Sequence, residues 1–476
     1  MPRPPDPDTL GELKATVGDG SWLESPADVA PFVIDFRRLY HGATALVLLP
    51  RNVDEVARIL RICNREEVAV VPHGGNTGYC GGATPDEAGS QIVLSLRRLN
   101  RVRHIDAANY SMIIEAGCTL AEAQAAAREA DRLFPLSLGS EGTAQIGGNL
   151  STNAGGTAVL RYGMMRDLVL GLEVVLADGR VLEGLKSLRK DNTGYDVKSL
   201  FVGAEGSLGV ITAACLKLFP QAADSATALV GIGSPQHALD LLARLRTAGG
   251  DQVTSFELMP RLAVEITVKH VPGVADPLSQ NTPWYLLVEL SSPNPRQDLI
   301  TLLTAALEDA AARGTIEDAM LATSMAQSQA MWKLRESVPE AQRRHGASLK
   351  HDVSVPVSAI PKLIEEGSAL VRRLAPEGDV IAYGHAGDGN LHFNVGQKPG
   401  CDIKTFLARG PVLEHAMFDL VESLGGSISA EHGIGRLKAA EFARRADPVE
   451  LSVMHELKRA LDPKGIMNPG KVLCAR

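Results

Sequence analysis

No cysteine in this chain has a partner at C-x-x-C spacing. The six cysteines (Cys63, Cys80, Cys118, Cys215, Cys401 and Cys474) are scattered singly. Thiolate metal sites and secreted disulfide frameworks need clustered cysteines, so the pattern argues against both and suits a reducing compartment. Long apolar runs are missing as well. Nothing approaches the ~18 residues of a membrane helix, and the opening "MPRPPDPDTL" has no apolar signal-peptide core. An excess of positive charge is also absent: 48 Lys and Arg against 56 Asp and Glu leave a net charge of −8. That gives no electrostatic reason to expect a nucleic-acid partner, although a few local cations can still dominate one pocket. Together these absences predict a cytoplasmic protein. No internal repeat, low-complexity tract or long linker interrupts the 476 residues, a length that predicts two or three domains.

What is present begins with a β-α-β unit over residues 45–72. The short strand "ALVLLP" leads to a helix whose start carries a capping box of Asn52 and Glu55, and Val53, Val56, Ile59, Leu60 and Cys63 fall on one helical face. A second strand, "VAVVP", follows. Strands are expected at 91–96, 110–116, 172–176 and 209–218, and a helix from Thr119, boxed by Glu122, to about Arg132. From about 221 apolar strands alternate with helices at 236–247, 297–312 and 324–344, which predicts a second domain. The tail reads as helices over 435–446 and 448–460, then a turn-rich end.

Glycine is concentrated in three places. "PHGGNTGYCGG" (72–82) follows a strand, as a phosphate loop does, yet matches neither G-x-G-x-x-G nor G-x-x-x-x-G-K-[ST]. Its successive N–H groups can form an anion-binding nest, and taken alone it is equally a tight turn. "GSEGTAQIGGNLSTNAGG" (139–156) and "GAEGSLGVIT" (203–212) change that balance. So many backbone donors with so little side-chain bulk suit a long diphosphate cofactor.

These three blocks, with "GHAGDGNLHFNV", "SAEHGIGR" and "IMNPGK" in order behind them, resemble the FAD-dependent D-2-hydroxyacid dehydrogenases of the vanillyl-alcohol-oxidase/PCMH flavoprotein superfamily. The resemblance is greatest to the D-2-hydroxyglutarate and D-lactate dehydrogenase branch and spans roughly residues 40–476. It implies an α+β fold: a PCMH-type FAD-binding domain of two α/β lobes (1–220), a cap or substrate domain built on an antiparallel sheet (221–430), and a helical segment returning to the FAD domain (431–476). It assigns Pro72, Gly74, Gly75, Asn76, Thr77, Gly78, Ser140, Gly142, Gly148, Ser151, Thr152, Ile211 and Asn468 to a non-covalently bound FAD. It also implies an electron-transfer flavoprotein or quinone-type acceptor, and a homodimer.

"YGHAGDGNLHFNV" reads as a hairpin turning at Asp388-Gly389. A two-residue turn pairs His385 with His392 and Tyr383 with Asn394, and sets both imidazoles on one face. A one-residue slip separates them. Two such imidazoles suit a divalent cation, which needs a third ligand. Taken singly, His385 and His392 are an ordinary cross-strand pair, and Glu431, expected at the end of an apolar strand, a helix-start carboxylate. The resemblance makes His385, His392 and Glu431 ligands of a metal, zinc by donor set, and His432 the catalytic base. It also makes Arg335, Lys350 and Asn394 the substrate contacts. Arginine suits a carboxylate because its planar fork binds two oxygens. Some hydroxyglutarate enzymes carry threonine where this chain has Pro339, so one distal-carboxylate contact is lost or replaced. The expected reaction is metal-assisted oxidation of a small D-2-hydroxyacid, D-2-hydroxyglutarate first. D-lactate, glycolate or D-malate oxidation on the same scaffold is the alternative, followed by a non-redox FAD-containing transferase.

Overall fold

A computed structural model describes residues 3–474. They form two compact units, one of residues 3–156, 163–221 and 431–474, the other of 157–162 and 222–430.

The first unit opens with a four-stranded sheet. Val47–Leu48, Gln91–Ser95 and Ala69–His73 run parallel, with Trp22–Leu23 antiparallel at the edge. Helix Val53–Glu66 covers it. Val56, Ile59, Leu60 and Cys63 pack on Val70, Ile92 and Leu94 in one cluster, each burial worth about 1.5–3 kcal/mol for a Val- or Leu-sized side chain. Only half of its expected capping box forms. Asn52 Oδ1 accepts from Glu55 N at 3.0 Å, but the Glu55 carboxylate turns to Arg51 N at 2.8 Å. The Thr119–Glu122 box forms completely. That helix ends at Glu129 rather than near Arg132, because Arg132–Leu133 pairs with Phe219–Pro220. A five-stranded antiparallel sheet, Val102–Asp106, Ser111–Glu115, Val210–Lys217, Val169–Val175 and Val181–Gly184 in spatial order, completes the unit's strands.

The tail differs from its expected form at one end. Gly433 and Gly435 take positive φ (73° and 53°), so the chain turns there and the helix begins only at Ala439, ending at Arg445. Glu431 ends no strand either. Beyond the isolated bridge of Ser427 to Ser354, residues 428–432 are irregular. After helix Pro448–Leu461 the chain rejoins the parallel sheet, with Val70 N donating to Ile466 O and Asn468 N to Val70 O.

The second unit is an antiparallel sheet of eight strands. Period two divides its faces. Ala228, Val230, Phe256, Leu258, Leu286, Val288, Ala382 and Phe393 face helices Pro235–Gly249, Leu299–Ala312, Ile360–Leu374 and Gly410–Ser423. Leu229, Met259, Tyr285, Leu287, Ile381 and Tyr383 face the other way, toward Arg261–His270 and the 325–345 region. The single helix expected over 324–344 is two, Met325–Glu336 and Val338–His345. The break falls at Ser337, and Pro339 sits in the second helix's first turn, where its missing N–H costs nothing. Among the described residues no helix is long and apolar enough to cross a membrane.

Candidate active site

In the first unit the glycine-rich loops meet around one cleft. Pro72, Gly74, Gly75, Asn76, Thr77, Gly78, Gly148, Ser151, Thr152 and Ile211 all line it. The loops approach each other as only glycine permits: a Cβ on Gly75 would lie 2.0 Å from Thr143 O, and one on Gly147 2.8 Å from Ala116 Cβ. Asn76 takes a left-handed backbone (φ 54°), fixed by its Nδ2 donating to Ile34 O at 2.8 Å. Such a residue turns successive N–H groups inward.

The cleft fits a polar cofactor on a second ground. Gln145 Oε1 and Asn149 Nδ2, on cleft-lining residues, are buried without a hydrogen-bond partner, and so is Asn468 Oδ1. Buried polar atoms are rarely left so unless a ligand completes them. Asn468 does not itself line the cleft; its Nδ2 donates to the carbonyls of Gly82 and Glu205, which do. Ser140 and Gly142 lie outside the lining. Their loop places Gln145 instead, since Ala144 N donates to Ser140 O ahead of the turn into helix Ile146–Ser151.

His432 also lines the cleft, its ring 4.5 Å from Tyr79 in an edge-on contact. Sequence reasoning missed what holds it. Glu205 Oε1 accepts from Ile434 N at 2.7 Å and Gly435 N at 3.1 Å, and Oε2 from Gly435 N at 2.9 Å. One buried carboxylate therefore fixes the turn that follows His432. Burial pushes its pKa up, and the N–H donors oppose the shift. His73 is buried beside Phe32, ring centroids 5.0 Å apart. Desolvation lowers its pKa to about 4 against a weaker opposing pull from the Gly74 backbone.

In the second unit the hairpin forms with a longer loop than expected. Strands Gly378–His385 and Asn390–Gln397 leave four loop residues, and the register pairs Tyr383 with His392 and Ile381 with Asn394. His385 is thus not opposite His392. The displacement is two residues, which preserves the face, and the two rings lie 5.7 Å apart between centroids. On the hairpin's other side, strand Asp352–Ser354 brings Asp352 opposite His392, with Oδ1 3.5 Å from its Nδ1. Both imidazoles carry a carboxylate beside Nδ1, Asp352 at His392 and Glu257 at His385 (2.6 Å), and imidazole nitrogens and carboxylate oxygens are donor types a divalent cation takes. Glu431 and His432 belong to the first unit.

Arg335 is buried, on helix Met325–Glu336. Its Nε donates to Glu257 Oε2 at 2.7 Å, and its guanidinium lies 4.9 Å over the Tyr383 ring. Asn394 Nδ2 donates to Gln342 Oε1 at 3.0 Å. Lys350 is exposed, between Ser348–Leu349 and Asp352–Ser354. Glu257 was missed, though a signal existed: it is the one charge in the strand "VTSFELMP".

Comparison with known proteins identifies the class. Residues 44–184 match the FAD binding domain, and 221–472 match the C-terminal domain of FAD linked oxidases. The mitochondrial D-2-hydroxyglutarate dehydrogenase of Arabidopsis thaliana is 35% identical over 471 residues, covering 98% of this chain and 82% of that protein. The Bos taurus protein of the same name is 38% identical over 467 residues, covering 98% and 83%. In fold the chain is similar to p-cresol methylhydroxylase solved with substrate bound, at TM-score 0.75 and 17% identity, covering 98% of this chain and 96% of that one. Both sequence relatives are named as mitochondrial, which overturns the cytoplasmic expectation drawn from scattered cysteines and an unremarkable start. The chain belongs to the FAD linked oxidases, with an α+β fold of the PCMH type, and stands among relatives named D-2-hydroxyglutarate dehydrogenases.

Proposed function

We propose that the chain oxidises a D-2-hydroxyacid, D-2-hydroxyglutarate foremost, to the 2-oxoacid with the aid of a divalent metal ion. The observation that carries this reading is the pair of hairpin imidazoles on one face, 5.7 Å apart and backed by Glu257 and Asp352, in a chain whose relatives bear that enzyme's name. Bound FAD supplies the acceptor for the substrate's hydride. The chain's part is to hold groups in position. Gly74 to Gly78, Gly148, Ser151 and Thr152 cradle the diphosphate and ring ends, with Gln145 and Asn149 offering their unpaired polar atoms. His385, His392 and Glu431 are the proposed metal ligands; zinc suits two nitrogens and an oxygen, and an ion so held polarises the substrate hydroxyl and carboxylate. His432 takes the hydroxyl proton, a task imidazole suits near neutral pH. Arg335, Lys350 and Asn394 orient carboxylates. Electrons leave to an electron-transfer flavoprotein or a quinone-type carrier, and the working form is a homodimer.

A second reading, D-lactate as substrate, is favoured by one observation. Glu257 already occupies the Arg335 Nε edge and balances its charge, leaving less to hold a distal carboxylate. One experiment tests both. The flavin spectrum is titrated anaerobically with D-2-hydroxyglutarate, D-lactate and D-malate, with and without chelator. D-2-hydroxyglutarate is expected to bleach the flavin at the lowest concentration, and chelation to stop bleaching without releasing FAD. Preference for D-lactate selects the second reading, and no bleaching by any hydroxyacid sinks both.

A further inference from the structure

Glu257 stands where the fold has no use for a charge. It lies in the middle of a strand at the centre of the eight-stranded sheet, between Phe256 and Leu258, and is completely buried. Its own face continues with apolar Met259, so a leucine would serve packing better. Removing a carboxylate from water is costly unless its oxygens are matched. Both are matched. Glu257 and His385 are direct cross-strand partners, with His385 Nδ1 2.6 Å from Oε1. Arg335 Nε, 78 positions along the chain, donates to Oε2 at 2.7 Å. Each oxygen thus serves one of the two cations or imidazoles that the proposed function needs.

We propose that Glu257 is a positioning residue that orients His385 as a metal ligand and Arg335 as a substrate contact at once. The inference rests on the metal-assisted reading above. A neutral imidazole beside a carboxylate donates its Nδ1–H to it, which fixes the tautomer and leaves the lone pair on Nε2, the atom a cation takes. The carboxylate also makes that nitrogen more basic. On the other oxygen, the Nε edge of Arg335 is held, so the plane of its fork is set before substrate arrives. Glu257 touches neither metal nor substrate in this role. It makes one buried group answer for two functions that a longer, looser arrangement would set independently.

The test measures metal retention rather than turnover. Zinc affinity is read by chelator competition on the FAD-loaded protein, and the ligand field by the visible spectrum after Co2+ substitution. Glu257→Gln is expected to bind zinc about 10–100-fold more weakly, the usual loss for a partner behind a metal-bound histidine, with an altered Co2+ spectrum and unchanged FAD content. Because this variant leaves Arg335 buried without its counter-charge, the double variant Glu257→Gln/Arg335→Met restores charge balance, and its affinity is expected to stay low. Wild-type zinc affinity in either variant, while His385→Ala loses zinc, overturns the inference and leaves the metal reading standing. Zinc retained by His385→Ala overturns the metal reading and the inference with it.

Discussion

In the flavin unit the candidate ligand-facing groups lie on stretches of little side-chain bulk, residues 74–78 and 147–149, brought together where Gly75 and Gly147 leave no room for a Cβ. In the second unit the proposed ones are side chains: His385, His392, Arg335 and Asn394, standing on strands and one helix beside Glu257, Asp352 and Gln342. A long diphosphate is recognised by many weak donors along a path. A small hydroxyacid offers a few oxygens, which require a few strong groups fixed in angle. The first arrangement is tolerant of any one side chain and intolerant of added bulk. The second is the reverse, since its buried charges are matched in pairs and losing one partner leaves the other stranded.

The largest expected effect probes the stranded charge. Arg335→Ala leaves the buried Glu257 carboxylate, whose pKa, against the cost of desolvation, the imidazole of His385 and the guanidinium of Arg335 hold down to about 2, without its guanidinium partner. Breaking such a pair costs about 3–5 kcal/mol, expected as a lower urea midpoint for the second unit with FAD stoichiometry unchanged. Activity is expected to fall much further with D-2-hydroxyglutarate than with D-lactate. An equal loss with both acids removes Arg335 from the distal-carboxylate role while keeping its structural one.

The converse substitution adds one methyl group to the flavin unit. Gly75→Ala brings a Cβ to 2.0 Å from Thr143 O, so one loop must move. Overpacking of this kind costs ~1–3 kcal/mol, which weakens FAD retention by roughly 10–100-fold. The ratio of flavin to protein absorbance after gel filtration reads this directly. Zinc content is expected to be unaffected, and full flavin occupancy would show that the loops have slack the contact distances deny.

The same contrast governs what could be read along the chain. The glycine loops are legible because their requirement is local: a glycine-dense run with little side-chain bulk, three times over. The hairpin is legible as two strands, but its loop has four residues where Asp388-Gly389 signals two, and the register differs by two positions. Period two forgave that error, since an even slip keeps both rings on one face. The helix break at Ser337 was signalled by Pro339 and read past. What could not be read is pairing across distance. Glu257 meets Arg335 from 78 positions away and His385 from 128, and Glu205 meets Gly435 from 230. Nor does any local feature of residues 157–162 announce that they join the second unit. Such partners are chosen by sheet order, which no short window contains.

An effect confined to acid pH tests whether the flavin unit holds any side chain as the second unit does. His73 is buried at the cleft, with a pKa brought down from 6.5 to about 4 by desolvation. The sign follows from linkage. Below pH 6.5 the unfolded chain takes a proton on His73 that the folded unit refuses, so stability is full above that pH and falls as pH drops toward 4. Below 4 both states are protonated and the loss stops. The whole span is worth roughly 3 kcal/mol. His73→Gln, which cannot titrate, is expected to lose that much less stability than wild type between pH 7 and 4, measured by urea unfolding at fixed FAD. Parallel pH profiles for the two proteins would mean that the folded unit accepts the proton, either through a water path to the ring or through movement of the 72–78 loop. The flavin cleft would then depend on backbone alone, and the division between the two units would be sharper than the buried imidazole suggests.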